Sequence, residues 1–291
     1  MSDIGRIAEI RPLHLRANYS TFLITSETGD KYVASLFAQS RFSGVSKQLA
    51  VMRRLFDEGF MVPEPITIGH NKTLGHFMLE SFVEGETLFD ALGSASPEEQ
   101  YALGVRVVKA IDQLKAFDPG NLPMRKLSNW IDHCLRRFSD SGHTVFGLEK
   151  QLLREIEKRL GTFFSAPPVL LHGDCNDQNL ILKPDGRICF LDWETVMMGN
   201  WSWDYASALF GWWPHFKRGI LGSIPEQQAQ DVALSIAIIC IFKYMCHIES
   251  LETAHKGIFI HKANWEFWYE CLIDPEKLLC CEGVIFPYYF D

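Results

Sequence analysis

Positive charge is in short supply in this 291-residue chain: 28 Lys and Arg face 36 Asp and Glu, a formal net charge of −8. That deficit argues against a generic grip on nucleic acid or anionic lipid and mildly favours cationic ligands. Long apolar runs are missing too. The longest, Val232 to Phe242, is interrupted by Ser235 and stopped by Lys243, well short of the ~20 residues that cross a bilayer. The opening MSDIGRIAEIRPLHLR holds neither an apolar core nor a small-residue cleavage site, so the expectation is a cytoplasmic protein without a membrane partner. The eight cysteines form no CxxC pair and no His/Cys cluster at zinc spacing, which argues for reduced, buried thiols rather than a disulfide frame or zinc centre. There is no repeat period and no low-complexity linker; with 47% hydrophobic and 22% charged residues, neither disorder nor a fibre fits. The length suits one large domain or two lobes sharing a cleft.

What is present divides near Glu84. Before it, YSTFLIT (19–25) and KYVASLF (31–37) flank a Gly29-Asp30 turn and read as a hairpin. Val45, Leu49, Met52 and Phe56 then recur on one helical stripe that stops at Gly59. VPEPITIG and HFMLESFV read as two more strands joined by HNKTLG. The expectation for this part is β-β-α-β-β, an antiparallel sheet plus one helix. After Glu84 the pattern is helical: a cap-like Ser96-Pro97-Glu98-Glu99, two further amphipathic stretches, and a long buried helix over about 226–250. One β interlude breaks it, the hairpin of Asn179–Lys183 and Arg187–Glu194, directly after VLLHGDCNDQN. The expected fold class is α+β in two lobes, residues 1–83 and 84–291.

The dense chemical signal is HGDCNDQN followed by FLDWE. Phosphoryl transfer needs a carboxylate for the acceptor's hydroxyl proton and two hard oxygen donors that hold Mg²⁺ against nucleotide phosphates. Asp174, Asn179 and Asp192 can supply all three. A plain strand-exit turn with Asp174 as a cap is the bland alternative. His172 reads as a structural hydrogen-bonding residue. Asn176 and Asp177 could touch an acceptor or be loop polarity, and Glu194 could be metal-side or structural. Trp201, Trp203, Trp212 and Trp213 suit a pocket wall or simple packing.

The H-G-D-x-x-x-x-N and h-D-W-E pair, with the upstream β-rich lobe, the VP-x-P entry and the FMLESFVEG segment, resembles the aminoglycoside phosphotransferase and choline kinase family. These are small-molecule kinases related to the protein kinases. The resemblance implies a two-lobed protein-kinase-like fold with a mainly helical C-terminal lobe, ATP or GTP as co-substrate, and Mg²⁺. It implies Asp174 as catalytic base, Asn179 and Asp192 as metal ligands, and Leu79, Glu80, Ser81 and Phe82, up to Val83, as the hinge whose backbone pairs with the base. Asp204 matches the family's structural acid after the metal hairpin.

The chain departs from that pattern at one place. The strand lysine and helix glutamate that hold α- and β-phosphates in kinase-like folds fall on Ser35 and Gln48, and no Asp or Glu occurs between Lys31 and Phe56. Lys31 shares a strand face with Ser35 but stands ~13 Å away at 3.3 Å per residue. Arg41 and Lys47, at the strand-to-helix turn and in the first helical turns, are the candidate replacements, against the alternative of a solvated basic face. The loop RANYSTF lacks glycine, which leaves Asn18, Tyr19 and Ser20 to meet phosphates. The expected partner is a small-molecule acceptor, an aminoglycoside-like antibiotic before choline, thiamine or homoserine, with antibiotic resistance as the corresponding role. Acidic Glu249, Glu252, Glu266, Glu270, Asp274 and Asp291 near Trp265, Trp268, Tyr288 and Tyr289 would receive its charge. The expected assembly is a monomer or weak dimer, and a catalytically weak nucleotide- or ligand-binding relative is the second reading.

Overall fold

A computed structural model of the chain describes residues 5–16, 19–71, 75–122, 124–141, 149–210, 213–249, 269–274 and 276–279. Two compact units emerge, one of residues 1–87, 119–124 and 180–195, the other of residues 88–118, 125–179 and 196–291.

The first unit is built on a five-stranded antiparallel sheet of β1 (Ile7–Arg16), β2 (Tyr19–Ser26), β3 (Lys31–Phe37), β4 (Pro65–Asn71) and β5 (Gly75–Ser81), ordered β1-β2-β3-β5-β4. The expected β2–β3 hairpin forms in register Thr21↔Ser35 and Leu23↔Val33, with Ser26 and Asp30 closing its turn. β1 is a correction to the β-β-α-β-β expectation. It is an edge strand with irregularities between Ile7 and Glu9 and between Pro12 and His14, and its Ile7, Ile10 and Leu13 remain exposed. Bulges reset the alternation that marks a strand in sequence, so the segment carries no clean period-2 signal.

Helix α1 (Phe42–Asp57) follows β3. It buries Val45, Gln48, Val51, Met52 and Leu55, and Val45 joins Phe37 and Met78 in one apolar cluster with Leu49 and Ile68 against it. Phe56, expected on the buried stripe, is exposed, and Leu55 takes its place. The later hairpin of β9 (Leu180–Leu182) and β10 (Ile188–Phe190) belongs to this unit. β9 pairs with β6 (Glu86–Thr87), and the Phe190 amide donates to the Met61 carbonyl at 3.0 Å.

The second unit is mainly helical: α2 (Leu88–Ser94), α3 (Pro97–Lys115), α4 (Leu127–Ser141), α5 (Glu149–Phe163), α6 (Ser202–Ala208), α7 (Pro214–Leu221) and α8 (Ala229–Glu249). The Ser96/Glu99 capping box read from sequence is present. Helix α8 is buried all round from Val232 to Ile241 and apolar there except for Ser235, the mark of a central helix, and α4, α5 and α6 pack on it. Among the described residues no helix is long and apolar enough to cross a membrane. A small sheet, β7 (Arg125–Lys126), β11 (Met197–Gly199) and β8 (Val169–Leu171), delivers the chain to the HGD motif. Cys134, Cys175, Cys189, Cys240 and Cys271 are buried and joined in no disulfide.

Candidate active site

The HGD loop leaves β8 and is held by the second unit at nearly every residue. The backbone amides of His172 and Gly173 both donate to the Asp204 carboxylate, at 2.8 Å each. Gly173 has φ +89°, a backbone region that L side chains rarely adopt. Its carbonyl accepts the Trp203 indole N–H at 3.1 Å, and His172 Nδ1 accepts the Asp174 amide at 3.3 Å. Asp204 is fully buried; burial raises its carboxyl above the ordinary aspartate range, opposed by the His172 imidazole and the two backbone amides. His172 and Asp204 are thus supports of the loop, as the sequence suggests.

Beyond Asp174 the chain turns on Asn176, whose Oδ1 accepts the amides of Gln178 and Asn179. Asp177 is buried; its carbonyl accepts the Phe89 amide and its carboxylate accepts the Trp213 indole N–H at 3.0 Å. The loop polarity of Asn176 and Asp177 is therefore structural. The turn brings Asn179 back onto Asp174: Asn179 Nδ2 donates to the Asp174 carbonyl at 3.0 Å and to its carboxylate at 2.9 Å. Two of the three residues singled out by the motif are in contact. The Asn179 side-chain nitrogen is thus committed to Asp174.

Asp192 lies in the first unit, at the end of the β9–β10 hairpin. It is exposed and, among the described residues, is the one non-glycine with positive φ, 54°. Trp193 behind it is fully buried, donates to the Phe190 carbonyl at 3.0 Å and stands edge-on to Phe60. Taken singly, a carboxylate such as Asp192 and a side-chain amide oxygen such as that of Asn179 are both donors of the hard type that Mg²⁺ prefers. No three His, Cys, Asp or Glu side chains gather to hold a metal among the described residues.

The hinge-like segment ends β5. The Ser81 amide donates to the Glu64 carbonyl, Ser81 Oγ accepts the Glu64 amide, and the Phe82 amide donates to the Lys31 carbonyl. Val83 follows these ladder bonds, and no partner for its amide appears among the described residues. Leu79 is buried in the sheet. Ser35, 3% exposed, sits on the central strand opposite Thr21 and Met78; Gln48, 5% exposed, directs its amide at the Met52 sulfur, 3.9 Å away. The strand–helix site therefore holds two neutral side chains. Arg41 is ion-paired with Glu194, Lys47 is exposed on α1, and Lys31 pairs with Glu84 at 2.8 Å. Ser20 is partly buried at the start of β2. Asn18 lies outside the described residues, as do Trp212, Glu252, Trp265, Glu266, Trp268, Tyr288, Tyr289 and Asp291; Glu270 pairs with Lys277 and Asp274 is exposed.

Glu80 is expected to act through its backbone alone, and its side chain is the unexpected feature of this unit. Burial pushes its carboxyl up from 4.5 to about 8, with the Asp192 charge adding to the rise; Cys189 on β10 also faces it. The native state therefore keeps a proton that the unfolded chain has released. Across the window from 4.5 to about 8 the native state binds more protons, so stability falls as pH rises and levels off above it. In metal-free buffer Glu80→Gln is expected to remove this slope, raising Tm more at pH 8 than at pH 5. Equal gains at both pH values would show that the carboxyl titrates normally.

Comparison with known proteins shows the family. The model of a phosphotransferase enzyme family, that of the aminoglycoside phosphotransferases, matches residues 9–226. The chain belongs to that family, and its fold is the two-lobed, protein-kinase-like α+β fold. An aminoglycoside phosphotransferase solved with GDP and kanamycin superposes with a TM-score of 0.66 at 17% identity, covering 95% of each chain. Homoserine kinase of Janthinobacterium sp. (strain Marseille) is 20% identical over 94% of this chain and 82% of that protein. Acyl-CoA dehydrogenase family member 11 of Rattus norvegicus is 25% identical over 77% of this chain; the match spans 29% of that longer protein.

Proposed function

We propose that the protein is a magnesium-dependent kinase that moves the γ-phosphate of ATP or GTP to a hydroxyl of a small cationic acceptor of aminoglycoside type. The observation that carries this reading is the Asp174–Asn179 contact on a loop held by Asp204, Trp203 and Trp213. A base must be aimed before its substrate arrives, because geometry that is already fixed costs nothing at the moment of reaction. Asp174 would take the acceptor's hydroxyl proton. Asn179 and Asp192 would hold Mg²⁺, which when bound neutralises charge on the transferring phosphoryl group. The Val83 amide is the hinge donor toward the base. The likeness to a structure holding GDP and kanamycin supports the nucleotide and acceptor classes.

Homoserine is the second acceptor, favoured by the likeness to homoserine kinase along nearly the whole chain. A catalytically weak binding protein is favoured by neutral Ser35 and Gln48 alone. The test is nucleotide consumption with ATP and GTP in Mg²⁺ across kanamycin, choline, thiamine and homoserine. Turnover with kanamycin is expected. Nucleotide binding without turnover on any acceptor would favour the binding protein, and no nucleotide binding at all would refute the kinase.

A further inference from the structure

We infer that Arg41 and Glu194 form a positioning pair: their ion pair holds the metal-bearing segment around Asp192 on helix α1, in place of the strand-lysine and helix-glutamate contact that Ser35 and Gln48 cannot make. The inference rests on the phosphotransferase reading and extends it to two residues outside the base and metal set.

The helix has no acidic means of its own to be tied to a cation on β3. Its stretch up to Phe56 contains no Asp or Glu, and the side chain at the glutamate position, Gln48, is spent on Met52. The helix instead carries a cation at an awkward place. Arg41 is its N-cap, there is no side-chain cap bond, and no acidic residue occupies the first turn. A positive charge there opposes the helix dipole. Glu194 meets that charge, and it stands two positions after Asp192.

The segment between is clamped from its other side as well. Trp193 is fully buried against Phe60 and bonded to the Phe190 carbonyl, while the Phe190 amide is fixed to Met61. Asp192 lies between Trp193 and the hairpin, exposed and at φ 54°. A non-glycine residue stays in that region when its surroundings hold it there. Trp193 anchors the segment's depth and the Arg41–Glu194 pair fixes its outer edge, so the direction of the Asp192 carboxylate follows from both. Because the pair is partly exposed, it contributes little to global stability. Its loss should appear in metal and nucleotide affinity.

The experiment titrates Mg²⁺ against fluorescent ATP and GTP analogues for the unmodified protein, Arg41→Gln, Glu194→Gln and the charge swap Arg41→Glu with Glu194→Arg. Each single change is expected to weaken Mg²⁺-dependent nucleotide binding by roughly tenfold to a hundredfold, as removal of a ligand's supporting partner does. The swap should recover most of the loss, and Tm should hardly move. Hydrogen exchange across residues 190–196 should quicken in both single variants and slow again in the swap, with or without nucleotide. Single variants that bind as the unmodified protein does overturn the inference and leave the kinase reading intact. A swap as weak as the singles combined also overturns it, since Arg41 would then act on phosphate directly. Absence of nucleotide binding in the unmodified protein sinks the kinase reading, and the exchange data alone then decide whether the pair orders the segment.

Discussion

Replacing Asp174 by Asn is expected to lower turnover by roughly a thousandfold while leaving Mg²⁺–nucleotide binding and Tm close to those of the unmodified protein, the scale of losing a positioned general base. The isosteric change keeps the loop intact. The substituted side-chain amide could still offer its oxygen to Asn179 Nδ2, and the backbone bonds to Asp204, His172 and Trp203 do not involve the altered side chain. What is lost is the capacity to take a proton. The split between catalysis and binding is therefore the diagnostic readout, measured as single-turnover phosphoryl transfer beside nucleotide titration. Residual turnover near that of the unmodified protein would show that Asp174 is only a strand-exit cap. The family relationship would then describe descent without its chemistry.

The sequence exposes the parts of this site that are local and conceals those that are not. Asp174 and Asn179 are legible because a five-residue turn sets their spacing, and the turn is built from its own members, chiefly the Asn176 side chain. The β2–β3 hairpin and the start of α3 are legible for the same reason, since Ser26, Gly29 and Asp30, or Ser96 and Glu99, complete each other within a few residues. By contrast, Glu80 beside Asp192, Arg41 against Glu194 and Trp213 on Asp177 join residues far apart in the chain. No periodicity reports such pairings. The β1 strand is hidden differently: its Ile7, Ile10 and Leu13 face solvent and its bulges erase the alternation. The neutral Ser35 and Gln48 are readable as substitutions, whereas the Arg41–Glu194 ion pair requires coordinates.

The second large effect is expected in stability, at the crossing of α3 and α7. A Cβ on Gly104 would lie 2.2 Å from the Phe216 carbonyl oxygen and 3.0 Å from the Ile220 nitrogen; one on Gly219 would lie 2.2 Å from the Tyr101 carbonyl oxygen. All of these obstacles are backbone atoms, so no rotamer change relieves them and the helices must move apart. Helix propensity acts in the opposite sense, because Ala is favoured over Gly by about 1 kcal/mol within a helix. Overpacking against fixed backbone costs about 3 kcal/mol and prevails. Gly104→Ala and Gly219→Ala are each expected to lower Tm by several degrees. Gly161→Ala in α5, where an added Cβ meets nothing within 4 Å, should raise it slightly through propensity alone. The consequence reaches the site, because α3 also packs on β8, the strand that delivers the HGD loop. Denaturant melts of the three variants decide the matter: if Gly104→Ala tracks Gly161→Ala, the two helices do not cross at backbone contact, and the close packing of α3 on α7 is refuted.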